Sequence, residues 1–168
     1  MTSSIEGVEL DELVVHGDDR GSFAEVMRAS KFPVTFVQSN HSRSAKGVLR
    51  GLHYHRKQAD LWYVIAGRMR VGLADLRTQA DPPIVETIDL AAAAPAVLFI
   101  PPGVAHGFFA LEDVDLLYWV SNYYDGDDEM GIAWDDPTLA VPWDADDPIL
   151  SERDRSNPPL QWQEIAPF

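Results

Sequence analysis

The amino-acid sequence predicts an all-β protein, an antiparallel sandwich or barrel ending in loop and short helix. Three features point to it: β-branched and aromatic residues recur in many short runs, turn-forming clusters separate the runs, and helical periodicity is scarce. The 12 prolines add to this, since they interrupt helices and central strands alike. A length of 168 residues, 46% of them hydrophobic, suits one domain with an ample core.

In chain order, Val8, Leu10, Leu13, Val14 and Val15 stand among acids and predict a first strand within 6–15. His16 to Gly21 is dense in turn formers, and Ser22 to Arg28 predicts a second strand. Phe32 to Gln38 is strongly β by composition, whereas Ser39 to Lys46 reads as a polar loop. Gly47 to His55 predicts the next strand, and Asp60 to Leu76 a long one turned at Gly67. After the turn at Thr78 to Pro83, Ile84 to Leu90 alternates as a half-buried strand does; Ala91 to Ala94 predicts a helical turn that Pro95 stops. Val97 to Gly103 and Ala105 to Leu111 form strand, turn and strand, followed by an aromatic-rich strand over Val114 to Tyr124. Beyond it, Asp125 to Glu129 is a solvated acidic loop, and Trp134, Pro137, Pro142, Trp143 and Pro148 break any regular element up to a short helix at Leu150 to Arg155. The division expected is a single domain over 1–168, with N-terminal strands in 6–28, a barrel core over about 30–125 and a tail over 126–168.

With 27 acids against 13 bases the net charge is −14, which disfavours nucleic acid and anionic membranes as partners. An anionic ligand therefore needs a local arginine cluster. The first residues lack the basic and apolar regions of a secretory leader, and the longest apolar run, Leu90 to Ile100, contains Pro95. The absence of cysteine excludes disulfides, thiolate catalysis and sulfur-ligated zinc, and a cytoplasmic protein is expected.

The chemistry concentrates in Gly47-Val-Leu-Arg-Gly-Leu-His-Tyr-His55. Side chains alternate along a strand, so His53 and His55 face the same way, into whatever the sheet encloses. Asp60 and Gly67 follow, and His106 comes after Pro101-Pro-Gly103. The pattern His53-x-His55, Asp60, Gly67 resembles the first motif of the cupins, with aspartate where glutamate is usual, and Pro101-x-Gly103-x-x-His106 resembles the second. That resemblance implies a double-stranded β-helix, or jelly-roll barrel. It also implies one possible divalent transition-metal site at His53, His55, Asp60 and His106, a donor set suited to such an ion.

The wider sequence resembles a particular branch, the dTDP-4-dehydrorhamnose 3,5-epimerases. The blocks that carry this include Asp19-Arg-Gly-Ser-Phe-Ala-Glu25, Phe36-Val-Gln-Ser-Asn-His-Ser42, Gly47 to His53, Ile100 to Phe108, Asn122-Tyr-Tyr124, Trp134-Asp-Asp-Pro-Thr-Leu139 and Leu150-Ser-Glu-Arg-Asp154. The resemblance implies epimerisation of a dTDP-linked 4-keto-6-deoxyhexose without a cofactor, with His53 as base, Asp154 as the carboxylate that orients it and Tyr118 as acid. It further implies substrate contacts from Arg20, Glu25, Gln38, Asn40, Arg50, His106, Glu129 and Arg153, Tyr124 stacking on the thymine, and a homodimer in which N-terminal strands cross to the partner. Three of these are arginines, whose planar fork suits a diphosphate.

One departure stands out: the family carries a lysine where this chain has Asp60. A cation there would hold charge developing on the carbonyl oxygen, an effect worth roughly 10²- to 10³-fold in rate. Lys57, Arg50, a protonated His55, or a metal on His55, Asp60 and His106 are possible replacements. A metal using all four motif residues would compete with His53 as base. Two further readings accompany the epimerase: a metal-dependent cupin oxygenase or isomerase, and a non-catalytic sugar-nucleotide-binding cupin.

Overall fold

The computed structural model describes residues 3–165 and 168. Met1, Thr2, Ala166 and Pro167, the ends of the N-terminal segment and of the tail read above, lie outside them. The strands are β1 (Glu9–Glu12), β2 (Val15–Asp18), β3 (Gly21–Ala24), β4 (Gln38–Ser44), β5 (Leu49–Tyr54), β6 (Asp60–Ala66), β7 (Arg68–Asp75), β8 (Val85–Ala91), β9 (Ala96–Ile100), β10 (Val104–Ala110), β11 (Val114–Val120) and β12 (Met130–Gly131), with one short helix, α1 (Glu152–Ser156). Two five-stranded antiparallel sheets form, in the orders β1-β9-β6-β11-β4 and β12-β5-β10-β7-β8, and β2 with β3 makes a separate hairpin. This is the expected jelly-roll architecture. No helix among the described residues is long and apolar enough to cross a membrane.

Apolar residues pack in three layers. Between the sheets, Trp62, Val64, Leu98 and Ile100 of the first meet Met69, Val71, Leu73, Val104 and Phe108 of the second. The tail covers the outer face of the second sheet, bringing Ile132, Leu139, Val141 and Trp143 against Leu49, Leu52, Ala74 and Ala105. The segment before β4 covers the outer face of the first, with Phe32, Val34 and Phe36 against Leu61, Val97 and Phe99. Sheets covered on both faces explain continuous apolar runs such as Ala96–Ile100, buried at every position.

The same layering explains two departures from the sequence reading. Phe32 to Val37 is not a strand: its apolar side chains cover a sheet rather than join one. The stretch read as a polar loop is instead β4, paired with β11 from Val114↔Ser44 to Val120↔Gln38. Its exposure alternates between half-buried and exposed because its inner face borders a polar cavity and its outer face meets water. Neither face calls for apolar residues, so the strand carries no hydrophobic signal. β1 also belongs to the barrel, pairing with β9, so among the described strands the β2–β3 hairpin alone stands apart from it.

Glycine is required where β5 runs closest beside β10. A Cβ on Gly51, whose φ is +129°, would lie 2.7 Å from the Gly107 Cα. At this close approach the β5–β10 pairing shifts register between His106 and Phe108.

Candidate active site

A cavity of about 550 Å³ lies between the sheets, within the range of small-molecule sites. Period-two alternation sets its walls: Gln38, Asn40 and Ser42 of β4, Asp60 and Trp62 of β6, and Leu116, Tyr118 and Val120 of β11 line one side. Arg50 and His53 of β5 with His106 and Phe108 of β10 line the other, and His55 follows the end of β5.

His53 and Asp154 form the best-defined polar contact, His53 Nε2 to Asp154 Oδ1 at 2.6 Å. Asp154 sits on α1, behind the cavity wall, with its side chain 4% exposed. Ser151 caps that helix: it accepts from the Asp154 backbone N–H at 3.0 Å and its hydroxyl donates to Asp154 Oδ2 at 2.8 Å. Burial opposes charge on Asp154, but the bonds from His53, Ser151 and the Gly51 backbone outweigh it and hold the carboxyl below its ordinary value. An ionised Asp154 is an acceptor only, so His53 Nε2 carries the hydrogen of this contact and Nδ1 is the ring nitrogen not engaged by it.

Tyr118 comes from the sheet opposite His53, cross-strand from Asn40 and Trp62. Burial raises its phenol above the ordinary value, the negative charges of Asp60 and Glu129 add to this, and Arg50 and Asn40 act against it. It therefore keeps its proton at neutral pH. Imidazole and phenol thus enter one cavity from two facing walls.

A second cluster occupies the same cavity. His55 Nε2 and His106 Nε2 approach Asp60 Oδ2 at 3.8 and 3.4 Å, and the three ligand atoms lie within 4.8 Å of one another. The opposite ring nitrogens contact backbone carbonyls, His55 Nδ1 to Asp128 at 2.7 Å and His106 Nδ1 to Val104 at 3.0 Å. Burial pushes the Asp60 carboxyl up to about 6, His55 opposing it, and burial with the charge of His55 lowers His106 to about 3. Two imidazoles and a carboxylate at this spacing fit a divalent transition metal by donor type and arrangement. His53 stands outside the group, its Nε2 being committed to Asp154, so the geometry favours three metal-binding positions over the four of the motif.

The remaining sequence-derived residues divide. Gln38 donates to Asn40 Oδ1 at 2.7 Å on the wall, and Arg50 is held by the Ser44 hydroxyl at 2.9 Å. Arg153 pairs with Glu129 at 2.5 Å, and both line the cavity together with Tyr124, which is 75% exposed. Arg20 and Glu25 are not brought to it: Arg20, its side chain 90% exposed, pairs with Asp18, and Glu25 pairs with Arg28. Lys57 does not line the cavity either; its backbone N–H is bound by Asp128. Sequence reasoning missed Ser151 and Asp128 as supports. Ser151-x-x-Asp154 ahead of a short helix carried the signal of a cap, whereas Asp128 lay inside an acidic run that looked solvated.

The family model described as dTDP-4-dehydrorhamnose 3,5-epimerase matches residues 2–161. A dTDP-4-dehydrorhamnose 3,5-epimerase of Pseudomonas aeruginosa is 41% identical over 164 residues, covering 90% of this chain and 90% of that protein. The spore coat polysaccharide biosynthesis protein SpsL of Bacillus subtilis is 37% identical over 148 residues, covering 84% and 98%. Among solved structures, a dTDP-6-deoxy-D-glucose-3,5-epimerase of Legionella pneumophila in complex with dTDP-4-keto-L-rhamnose superposes with a TM-score of 0.89 at 32% identity, covering 99% of this chain and 93% of that one.

Proposed function

Since the chain belongs to the dTDP-4-dehydrorhamnose 3,5-epimerase family, and is thus an enzyme of the isomerase class, we propose that it epimerises a dTDP-linked 4-keto-6-deoxyhexose, His53 acting as base and Tyr118 as acid. The observation that carries this reading is the 2.6 Å His53–Asp154 contact beside a cavity that Tyr118 enters from the facing sheet.

The keto group at C4 acidifies the hydrogens on C3 and C5. His53 Nδ1 takes one of them as a proton, the C–H electron pair moves toward the carbonyl oxygen, and an enolate forms. Asp154, a positioning residue, keeps the ring oriented and stabilises the imidazolium. Tyr118 then delivers its phenolic proton to the opposite face of the same carbon, which inverts it, and the two groups return to their starting states through solvent. General acid and base groups of this kind contribute roughly 10²- to 10⁴-fold each. No net redox change occurs.

The nucleotide end of the substrate falls to Arg50 and Arg153 for the diphosphate, with Gln38, Asn40, His106 and Glu129 as polar contacts and Tyr124 stacking on the base. Arg20 and Glu25 reach a cavity only if the β2–β3 hairpin docks on a second copy, so a homodimer belongs to this reading. Support comes from the hairpin itself, where Phe23 is 68% exposed and Val15 45%.

Incubating the protein with dTDP-4-keto-6-deoxyglucose in D₂O and reading label position by NMR tests the reaction. Deuterium at C3, C5 or both is the expected result; a sugar recovered without label would leave only binding.

A further inference from the structure

The proposed chemistry builds negative charge on the C4 oxygen, yet the cavity is lined by no lysine, and its two arginines, Arg50 and Arg153, are tied to Ser44 and Glu129. We propose that the indole N–H of Trp62 donates a hydrogen bond to that oxygen, which makes Trp62 a further catalytic residue of this chain. The inference rests on the epimerase reading and assigns a donor within it.

Strand register places Trp62 level with both reacting groups. On the first sheet, β11 pairs Tyr118 with Asn40 on one side and with Trp62 on the other. On the facing sheet, His106 pairs with His53. Trp62 joins the two rows: its ring stands edge-on to His106 at a centroid distance of 5.4 Å and to Phe108 at 5.9 Å, contacts that fix its orientation. One layer of the cavity thus holds acid, base and indole. C4 of the substrate is bonded to both C3 and C5, so a carbon held between His53 and Tyr118 brings the carbonyl oxygen into this same layer.

The other polar groups of that layer are engaged. Asn40 accepts from Gln38 at 2.7 Å and hydrogen-bonds the Tyr118 phenol, His106 Nδ1 contacts the Val104 carbonyl at 3.0 Å, and His53 Nε2 faces Asp154. Trp62 differs. It is 6% exposed and lines the cavity, and no hydrogen bond engages its Nε1–H among the described residues. The nitrogen is not sealed off, since the one sealed and unpartnered side-chain nitrogen or oxygen among those residues is Asn157 Nδ2. A buried indole ordinarily finds an acceptor, as Trp143 does by donating to the Trp134 carbonyl at 2.8 Å. A buried donor without one is costly, and a ligand oxygen in the cavity removes that cost. Indole nitrogen donates only, so its bond strengthens as the carbonyl oxygen becomes an enolate oxygen. Being neutral, it is also not drawn into an ion pair by Asp60, two positions back on the same face of β6.

Two measurements test this. Proton–nitrogen correlation NMR is recorded on the slow His53→Asn variant, the Trp62 indole signal being identified by its loss when Trp62→Phe is added. dTDP-4-keto-6-deoxyglucose should shift that signal downfield, whereas dTDP alone should leave it in place. In the otherwise wild-type enzyme, Trp62 is replaced by benzothienylalanine, which keeps the shape of the ring system and puts sulfur in place of N–H. The rate constant for deuterium entry from D₂O should fall about 10²-fold, with KM changed far less, because the bond is strongest to the enolate. Trp62→Phe should lose at least as much; should it fail to fold, the isostere decides. An isostere that exchanges deuterium at the wild-type rate overturns the proposal. So does a keto sugar that shifts other signals but not the Trp62 indole, or an indole that dTDP alone shifts equally. A keto sugar that shifts no signal at all overturns the epimerase reading, and the inference with it.

Discussion

Two imidazole–carboxylate groups meet at one cavity, their carboxylates equally buried, and differ in contact distance, in hydrogen bonding and in the direction in which each carboxyl is shifted. His53 and Asp154 meet at 2.6 Å, the carboxylate is held below its ordinary value by hydrogen bonds, and a capped helix carries it. His55 and His106 face Asp60 at 3.8 and 3.4 Å without a hydrogen bond, and the carboxyl is pushed up to about 6 by burial. The contrast comes from what else each carboxylate touches. Asp154 accepts bonds from His53, Ser151 and the Gly51 backbone, whereas Asp60 accepts one long bond, from Gln58. The first pair is therefore satisfied as it stands and suits proton transfer. The second is a set of converging acceptors that suits a cation.

Breaking the first pair should have the largest consequence. His53→Asn removes the base and should lower hydrogen exchange roughly 10³-fold or more, measured as deuterium entry into the keto sugar. Tyr118→Phe removes the acid but leaves abstraction possible; turnover should fall about 10²-fold or more while exchange without inversion persists. Normal turnover in both variants would remove the acid–base assignment.

Asp154→Asn sharpens the comparison through pH. A carboxyl whose value is lowered on folding contributes stability that is present above the unfolded value of ~3.9 and is lost as pH falls through the lower folded value. The wild type should thus lose stability on acidification in that range, and the variant should lose less, as followed by urea unfolding between pH 7 and 3. An identical acid limb in both proteins would show that Asp154 is not held ionised by its neighbours. The smallest effect expected is that of Ser151→Ala, about 1 kcal/mol of stability from loss of the cap, together with a modest fall in turnover as Asp154 loses one of its restraints.

Legibility in the sequence followed the same division. His53, His55, Asp60 and His106 were readable because a period-two strand and a proline–glycine turn fix where their side chains point, and all four line the cavity. Tyr118 and Asp154 were readable only through the family resemblance, since nothing local ties residue 154 to residue 53. β4 was illegible: a strand between a polar cavity and water shows none of the apolar alternation that marks strands. Phe32 to Phe36 misled in the opposite direction, because strand-like composition also suits a segment laid over a sheet. Arg20 lies in the turn between β2 and β3 and Glu25 directly after β3, and intrachain geometry takes neither of them to the cavity.

The proton-transfer assignment is tested most directly by following deuterium entry from D₂O into dTDP-4-keto-6-deoxyglucose by NMR, with wild type and His53→Asn side by side. Label at C3 or C5 with wild type and a rate lower by roughly 10³-fold in the variant is the predicted result. Equal rates of label entry in the two proteins would contradict it.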